Sequence, residues 1–337
     1  MRSRVEQFLK DIKKEYSKLP EDLHITRKAG ALVAISNGKV IKSETPKLKY
    51  CPLFEALFSQ QEINQKNIEE KFQLQTEKWG MFSPQRKISD CHIIVPFGAS
   101  EMIMYALKRG RVDAAVVACE GAGTVVTDDH GVVQGIGAYM NGLFYTTPIK
   151  EVVSRLKKHD AMIVSDSAEI DQVKGVELAM EKGFKRVAVT VRGDEHESMI
   201  KIRGLMLKNP GLEIIILAVC ATGISALQAR AIRDNADLAW ACASSKIREI
   251  VGPAAMVQVG MKIPVFVLTK RGVDFISNYS QDNELKRKLK ELGQKKYITS
   301  NQYEKGGIKL NMGKFSVYLY DTEKLPISSS GQPHPLI

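Results

Sequence analysis

Three cysteines give the first chemical signal in this chain. Cys119, Cys220 and Cys242 each close an apolar run (114–118, 213–219 and 238–241), and each is followed by small residues. If those runs are parallel strands, the three thiols lie along the carboxyl edge of a sheet, where open α/β sheets collect ligands. Three thiolates with one vacant position suit an iron-sulfur cluster or another thiolate-bound metal. The plainer reading is three buried structural thiols, because no Cys-x-x-Cys occurs and free cysteine is among the most buried residue types. Cys91 precedes its apolar run and belongs at the opposite edge, while Cys51, beside Pro52, could fold back to either.

Acids and small-residue loops stand at the same expected edge. Glu120 and Asp166 could move protons if burial raised their pKa values; capping a helix or pairing with an arginine is the simpler fate, as for Asp194 beside Arg192. Gly98 and Ser100, then Gly121, Gly123 and Thr124, then Thr222 and Gly223, and lastly Ser244 sit where helices should begin. Backbone N-H groups there suit a phosphate or carboxylate. None of these loops is a GxGxxG or a Walker loop. The run Asp194-Glu195-His196-Glu197 offers one nitrogen ligand only and reads as an exposed loop. No serine occupies a G-x-S-x-G elbow, which disfavours serine hydrolysis.

The elements that must position these residues are read from hydrophobic period. Residues 91–123 read as one βαβ unit: strand 92–96, a helix capped by Ser100 and stopped by Gly110, and strand 114–118. From 159 onward, apolar runs at 161–164, 187–191, 213–219, 238–241 and 265–269 alternate with helical patterns, one of them capped by Asp166 or Ser167. The total is about seven strands, and repeated β-then-α order favours right-handed crossovers and a parallel sheet. A closed eight-stranded barrel is the alternative, against which the glycine-rich break at 121–150 speaks. Residues 131–144 read as a loop or hairpin over the site.

The ends differ in character. Val5, Phe8, Leu9, Ile12 and Tyr16 make an amphipathic helix, Asn37-Gly38 marks a hairpin, and 61–78 is a polar surface helix. Residues 282–296 form a charged helix, a hairpin surrounds Met312-Gly313, and the last ten residues look frayed. The chain thus divides into 1–90 (N-terminal helix, hairpin and surface helix), 91–150 (first βαβ unit and glycine-rich loop), 151–275 (second β/α domain) and 276–337 (charged helix, hairpin and tail).

A length of 337 residues and 44% hydrophobic content allow a sizeable core, and no apolar run reaches the roughly 18 residues of a membrane span. The first sixteen residues lack an uninterrupted apolar region and a small-residue cleavage site, so a secretory signal is not expected, and five cysteines do not suggest a disulfide framework; a cytoplasmic protein with reduced thiols is the expectation. A net charge of +11 suits an anionic small molecule or an acidic protein partner. Nucleic acid is disfavoured, because the lysines at 286–290 and 295–296 lack interleaved aromatics.

In order, YCPL at 50–53, VPFGASE at 95–101, ACEGAGTVVT at 118–127, QGIG at 134–137, TTPI at 146–149, DLAWACAS at 237–244 and KIPVFVLT at 262–269 resemble the methanogenesis marker protein 8 family, over roughly residues 28 to 275. The resemblance implies an oxygen-free cytosol and a link to specialised anaerobic cofactors. It transfers no reaction and no functional residue. The expectation is an α/β protein with mostly parallel sheet and Rossmann-like β/α alternation, flanked by N- and C-terminal hairpins and helices. Functionally it is an enzyme or assembly factor for an anaerobic cofactor, or else a non-catalytic ligand-binding or scaffolding protein.

Overall fold

The computed structural model describes residues 1–140, 142–279, 284–291, 293, 295–302, 305–312 and 315–337. The chain opens with α1 (Arg2–Tyr16), which buries Val5, Phe8 and Ile12 on one stripe. Three strands follow: β1 (His24–Lys28), β2 (Ala31–Ser36) and β3 (Lys39–Ser43), the last two turning at Asn37 and Gly38, both at positive φ. Along β2, Leu32 and Ala34 join the layer under α1, whereas Val33 and Ile35 face α2 (Pro52–Phe58) and α3 (Gln65–Trp79) through Phe54, Ile68 and Phe72. The polar helix expected at 61–78 therefore closes a core.

The middle of the chain runs α4 (Ala99–Lys108), β4 (Ala114–Cys119), β5 (Gly123–Thr127), α5 (His130–Gly137), β6 (Gly142–Thr146), α6 (Lys150–Lys158), β7 (Met162–Ile163) and α7 (Gln172–Glu181). Then β8 (Arg186–Arg192), α8 (His196–Lys208), β9 (Glu213–Val219), α9 (Ala226–Asn235) and β10 (Leu238–Trp240) give the expected alternation. A π-helical turn at Ile247–Val251 leads to β11 (Val257–Val259), β12 (Val265–Val267), α10 (Lys270–Ser277), α11 (Glu284–Glu291), β13 (Lys295–Thr299), β14 (Ile308–Met312) and β15 (Phe315–Thr322). Gly313, half of the expected last turn, lies outside the described residues.

Two sheets result. The smaller is antiparallel, in the order β3-β2-β1-β6, so β6 returns from far along the chain to pair with β1. The larger has the order β14-β15-β13-β11-β12-β10-β9-β8-β4-β5-β7 and takes strands from each of the segments 91–150, 151–275 and 276–337. Its pairs β4/β8, β8/β9, β9/β10 and β11/β13 are parallel and the remaining six antiparallel, so the fold is mixed α/β rather than mostly parallel and Rossmann-like. Both faces are covered. Ala115, Val117, Ala188, Ile215 and Leu217 face the layer of α4, α5, α6 and α10, while Val116, Val187, Val189, Ile214 and Ile216 face α7, α8 and α9. Among the described residues no helix is long and apolar enough to cross a membrane.

Several local expectations are corrected. Residues 92–96 form no strand, because side chains satisfy their backbone. Glu101 Oε1 accepts from Ile94 and Val95 N-H at 3.2 and 2.9 Å, and Gln134 Nε2 donates to His92 O at 2.6 Å. The central βαβ unit is therefore absent, and β4 instead continues into an antiparallel hairpin with β5. Residues 131–144 hold α5 and β6 rather than a loop; Asp129 caps α5, accepting from Gly131 and Val132 N-H. Its glycines permit close packing, since a Cβ on Gly135 would lie 2.1 Å from Ile88 O. Gly98, not Ser100, is the N-cap of α4, and Asp171, not Asp166 or Ser167, caps α7. The charged helix ends at Glu291 and yields to β13. Far from fraying, the tail docks: His334 bridges Tyr50, Ile337 N-H donates to Ala243 O at 2.8 Å, and Ser245 N-H donates to Ile337 O at 3.1 Å.

Candidate functional site

The carboxyl ends of β4, β8, β9 and β10 open on a cavity of about 700 Å³, between the two sheets. Val117, Thr190, Val219 and Trp240 supply its floor, and Gly142 and Leu143 of the smaller sheet face them. A third wall is the segment from Val95 to Gly98. Beyond the Glu101 contacts it is fixed by the Trp240 indole N-H, which donates to Phe97 O at 3.0 Å. Thr299 and Pro333 close the far end.

The smaller sheet brings two cations that sequence reasoning missed. Arg27, 6% exposed, lines the cavity and donates from Nη2 to Cys220 O at 2.5 Å. Burial pulls its pKa down and the nearby Cys220, Asp194 and Cys242 oppose this, leaving a guanidinium that stays charged. Across the Phe144 ring, which lies 5.4 Å from Arg27 and 4.1 Å from Arg192, the second arginine is fully engaged. Arg192 donates to Asp194 Oδ1 and Oδ2 at 2.9 and 3.1 Å, to Glu195 Oε1 at 2.7 Å and to Leu143 O at 2.6 Å. Asp194 stays ionised: although burial raises its pKa, Arg192 and then Arg27 hold it below the usual range.

Lys28 also lines the cavity, its Nζ 5.8 and 6.0 Å from the Phe58 and Phe54 ring centres. Burial lowers its pKa, partly offset by Cys51 and Cys220. Behind the same rings lies Lys71, 3% exposed, its Nζ against Phe58 and 4.6 Å from the Phe54 centre. Burial, and then the proximity of Lys28, pull it to about 5.

Of the three thiols singled out in the sequence, Cys220 and Cys242 reach the cavity and Cys119 does not. Cys119 is buried in the layer that includes Val125, Val132 and Val152, its Sγ donating to Glu120 O at 3.3 Å. Its strand turns back into β5, whereas β9 and β10 end at the cavity rim. Cys220 and Cys242 both adopt left-handed φ, 55° and 46°, a conformation costing a non-glycine residue about 1–2 kcal/mol. Cys51, at the start of α2, joins them in the cavity wall. Burial, and then Cys242, push the Cys220 thiol up to about 12; burial also raises Cys242. Among the described residues no group of three or more His, Cys, Asp or Glu is arranged to hold a metal ion, so the donor set does not fit an iron-sulfur cluster or a three-thiolate metal.

The other singled-out residues separate in the same way. Gly98, Ser100 and Thr222 line the cavity, and Thr222 Oγ1 accepts from Ala243 N-H at 3.2 Å, tying the β9 and β10 loops together. Gly121, Gly123, Thr124, Gly223 and Ser244 stand behind the wall. Gly121 and Gly123, at φ 79° and 73°, shape the β4-β5 turn. Thr124 Oγ1 donates to Gln172 Oε1 at 2.7 Å, and Ser244 Oγ accepts from Ile247 N-H at 3.2 Å. Glu120 is fully buried and paired with Arg86 at 2.5 Å, and Asp166 is exposed on the loop before α7; neither lines the cavity. Glu101, which does, spends its carboxylate on Ile94, Val95, Ser100 and Gln134.

Residues 24–280 match the family described as uncharacterized protein conserved in archaea (DUF2099). A protein of Methanocaldococcus jannaschii described as Uncharacterized protein MJ0054 is 35% identical over 263 residues, covering 77% of this chain and 92% of its own length. Among solved structures, a chain of the F420-reducing NiFe hydrogenase complex of Methanosarcina barkeri is 14% identical, with a TM-score of 0.22 over 66% of this chain and 53% of that one. A likeness that slight carries no argument. The family match spans Arg27, Lys28, Cys51, Cys220 and Cys242, while Thr299 and Pro333 lie outside it.

Proposed function

This chain belongs to the archaeal family DUF2099, and from that premise we propose that it holds an anionic small molecule or cofactor in the cavity between its sheets, as a cytoplasmic enzyme or assembly factor in specialised anaerobic metabolism. The resemblance of its motifs to the methanogenesis marker protein 8 family supports the anaerobic setting. The observation that carries the ligand class is Arg27. Among the described residues no carboxylate pairs with it at hydrogen-bond distance, although it is almost wholly buried and lines the cavity, whereas Arg192 and Glu101 in the same lining are engaged by neighbours. Burying a guanidinium is costly unless a carboxylate or phosphate meets it, and a ligand that brings one relieves that cost.

The test is binding by the full chain, purified without oxygen, of a panel of carboxylates and phosphates, read by calorimetry. A saturable anion should lose affinity by about tenfold to a hundredfold in Arg27→Met, the worth of a charge-assisted hydrogen bond of about 1.5–3 kcal/mol. Equal affinity in the variant overturns the reading. A carrier or scaffold that binds without chemistry is the second reading, favoured by thiols pushed too high to be nucleophiles. Unaltered release of the bound molecule after prolonged incubation supports it.

A further inference from the structure

We propose that Lys71 is a carbamylation site, its ε-amine adding to carbon dioxide so that an N-carboxylate stands beside the Lys28 ammonium. This goes beyond the anion reading above and does not depend on it. Lys71 lies on the buried face of α3 with Asn67, Phe72 and Gln75. It is 3% exposed, and among the described residues its Nζ has no hydrogen-bond partner. Gln75, one helical turn on, is equally sealed and leaves Oε1 without a partner as well. The amine lies against the Phe58 ring and 4.6 Å from the Phe54 centre, and Lys28 Nζ approaches the same two rings from the cavity side at 5.8 and 6.0 Å. An ammonium without water or a counterion is costly, and of the two lysines it is the sealed one that gives up its proton. Burial comes first among the causes and the half-buried Lys28 cation second, with the Cys51 thiol at the start of α2 opposing them weakly. A desolvated, uncharged lysine beside a second cation is a nucleophile at neutral pH. The corner around it is aromatic and nearly closed, so it suits a small uncharged electrophile, and a hydrated anion would have to shed its water to enter.

The step balances without an oxidant or a second reagent. The neutral nitrogen gives its lone pair to the carbon of carbon dioxide, one C=O pair moves onto oxygen as the negative charge, and the nitrogen releases one proton to water. One N-C bond forms and one N-H bond breaks; nothing is oxidised or reduced. The product is an anion next to Lys28, so an amine without a partner becomes the counterion of a lysine that had none of opposite charge on that helix face. The remaining N-H has Gln75 Oε1 as an acceptor on the same face of α3. Because Lys28 also lines the cavity, the carboxylate holds that ammonium from behind the Phe54 and Phe58 rings.

The experiment uses the full chain in isotope-labelled bicarbonate at neutral pH, with triethyloxonium to esterify any carbamate before digestion and mass spectrometry. The expected result is one ethoxycarbonyl group on Lys71, at least about tenfold more abundant than on the exposed Lys66, because an ordinary lysine with a pKa of about 10.4 is almost wholly protonated at neutral pH. Nuclear magnetic resonance of the intact chain should show a carbamate carbon that disappears in Lys71→Met. Lys28→Met removes both the cation that keeps Lys71 uncharged and the partner of the carboxylate, so labelling should fall by at least about tenfold, and Lys28→Arg, which keeps the charge, should restore it. No label on Lys71 in the parent chain overturns the proposal, as does label spread evenly over Lys66 and the other exposed lysines, or labelling of Lys71 unchanged in Lys28→Met. The parent chain decides the first two outcomes by itself, so a variant that fails to fold does not remove the test. Loss of the carbamate leaves the anion reading of the cavity intact, since that reading is measured by anion binding and Arg27→Met.

Discussion

Glu120→Gln separates a structural acid from a catalytic one. Glu120 and Arg86 are 0% and 1% exposed, joined from Arg86 Nε to Glu120 Oε1 at 2.5 Å. Arg86 also donates to Lys87 O at 2.9 Å and Ile136 O at 3.2 Å, so its guanidinium cannot leave when the charge opposite it is removed. Breaking a buried pair from one side costs about 3–5 kcal/mol, because the remaining charge is stranded in low dielectric. For a chain of 337 residues the unfolding entropy is about 0.7 kcal/mol per kelvin, so the melting temperature should fall by roughly 4–7 °C. Replacing both partners, Arg86→Met with Glu120→Leu, should recover most of the loss, since hydrophobic replacement of a buried pair is often neutral. Calorimetry reads the melting temperature, and anion binding to the cavity is measured on the same samples. Binding should survive in Glu120→Gln, because this carboxylate does not line the cavity. A variant as stable as the parent but unable to bind or turn over ligand would return Glu120 to a proton-transfer role and refute the reasoning.

Two further outcomes follow from thiol burial and close backbone packing. With Cys220 held at about 12, against about 8.5 in an unfolded chain, the fold favours its neutral form; that contribution is complete below about 8.5 and is lost as pH climbs towards 12. Iodoacetamide at pH 8 should therefore modify the exposed Cys91 and spare Cys220 and Cys242 until the chain unfolds, and equal rates at Cys91 and Cys220 would contradict this. Gly135→Ala should destabilise by about 1–3 kcal/mol, because its Cβ would meet Ile88 O at 2.1 Å; Gly204→Ala, with nothing within 4 Å on a helix, should stabilise by about 0.5–1 kcal/mol. Urea denaturation of the two variants checks the opposite signs.

Hydrophobic period and turn chemistry determined much of this chain from sequence alone. The alternation of 187–191, 213–219 and 238–241 with helical segments gave three strands that do pair in parallel, because apolar runs covered on both faces carry their own signature. Cys220 and Cys242, closing two of those runs, fell at the cavity rim as that order requires. The tertiary structure decided what no local pattern encodes. Whether an apolar run finds a ladder depends on what stands beside it: 92–96 is held by Glu101 and Gln134 in place of a strand, with Trp240 fixing Phe97 next to it, and Cys119 is turned into the core by the β5 hairpin. Arg27 and Lys28 enter the cavity because β1 pairs with β6, more than a hundred positions away, as in the bond from Thr26 Oγ1 to Gly142 O. Long-range pairing of this kind is fixed by the burial of both sheets together, and it placed the cations beside the thiols.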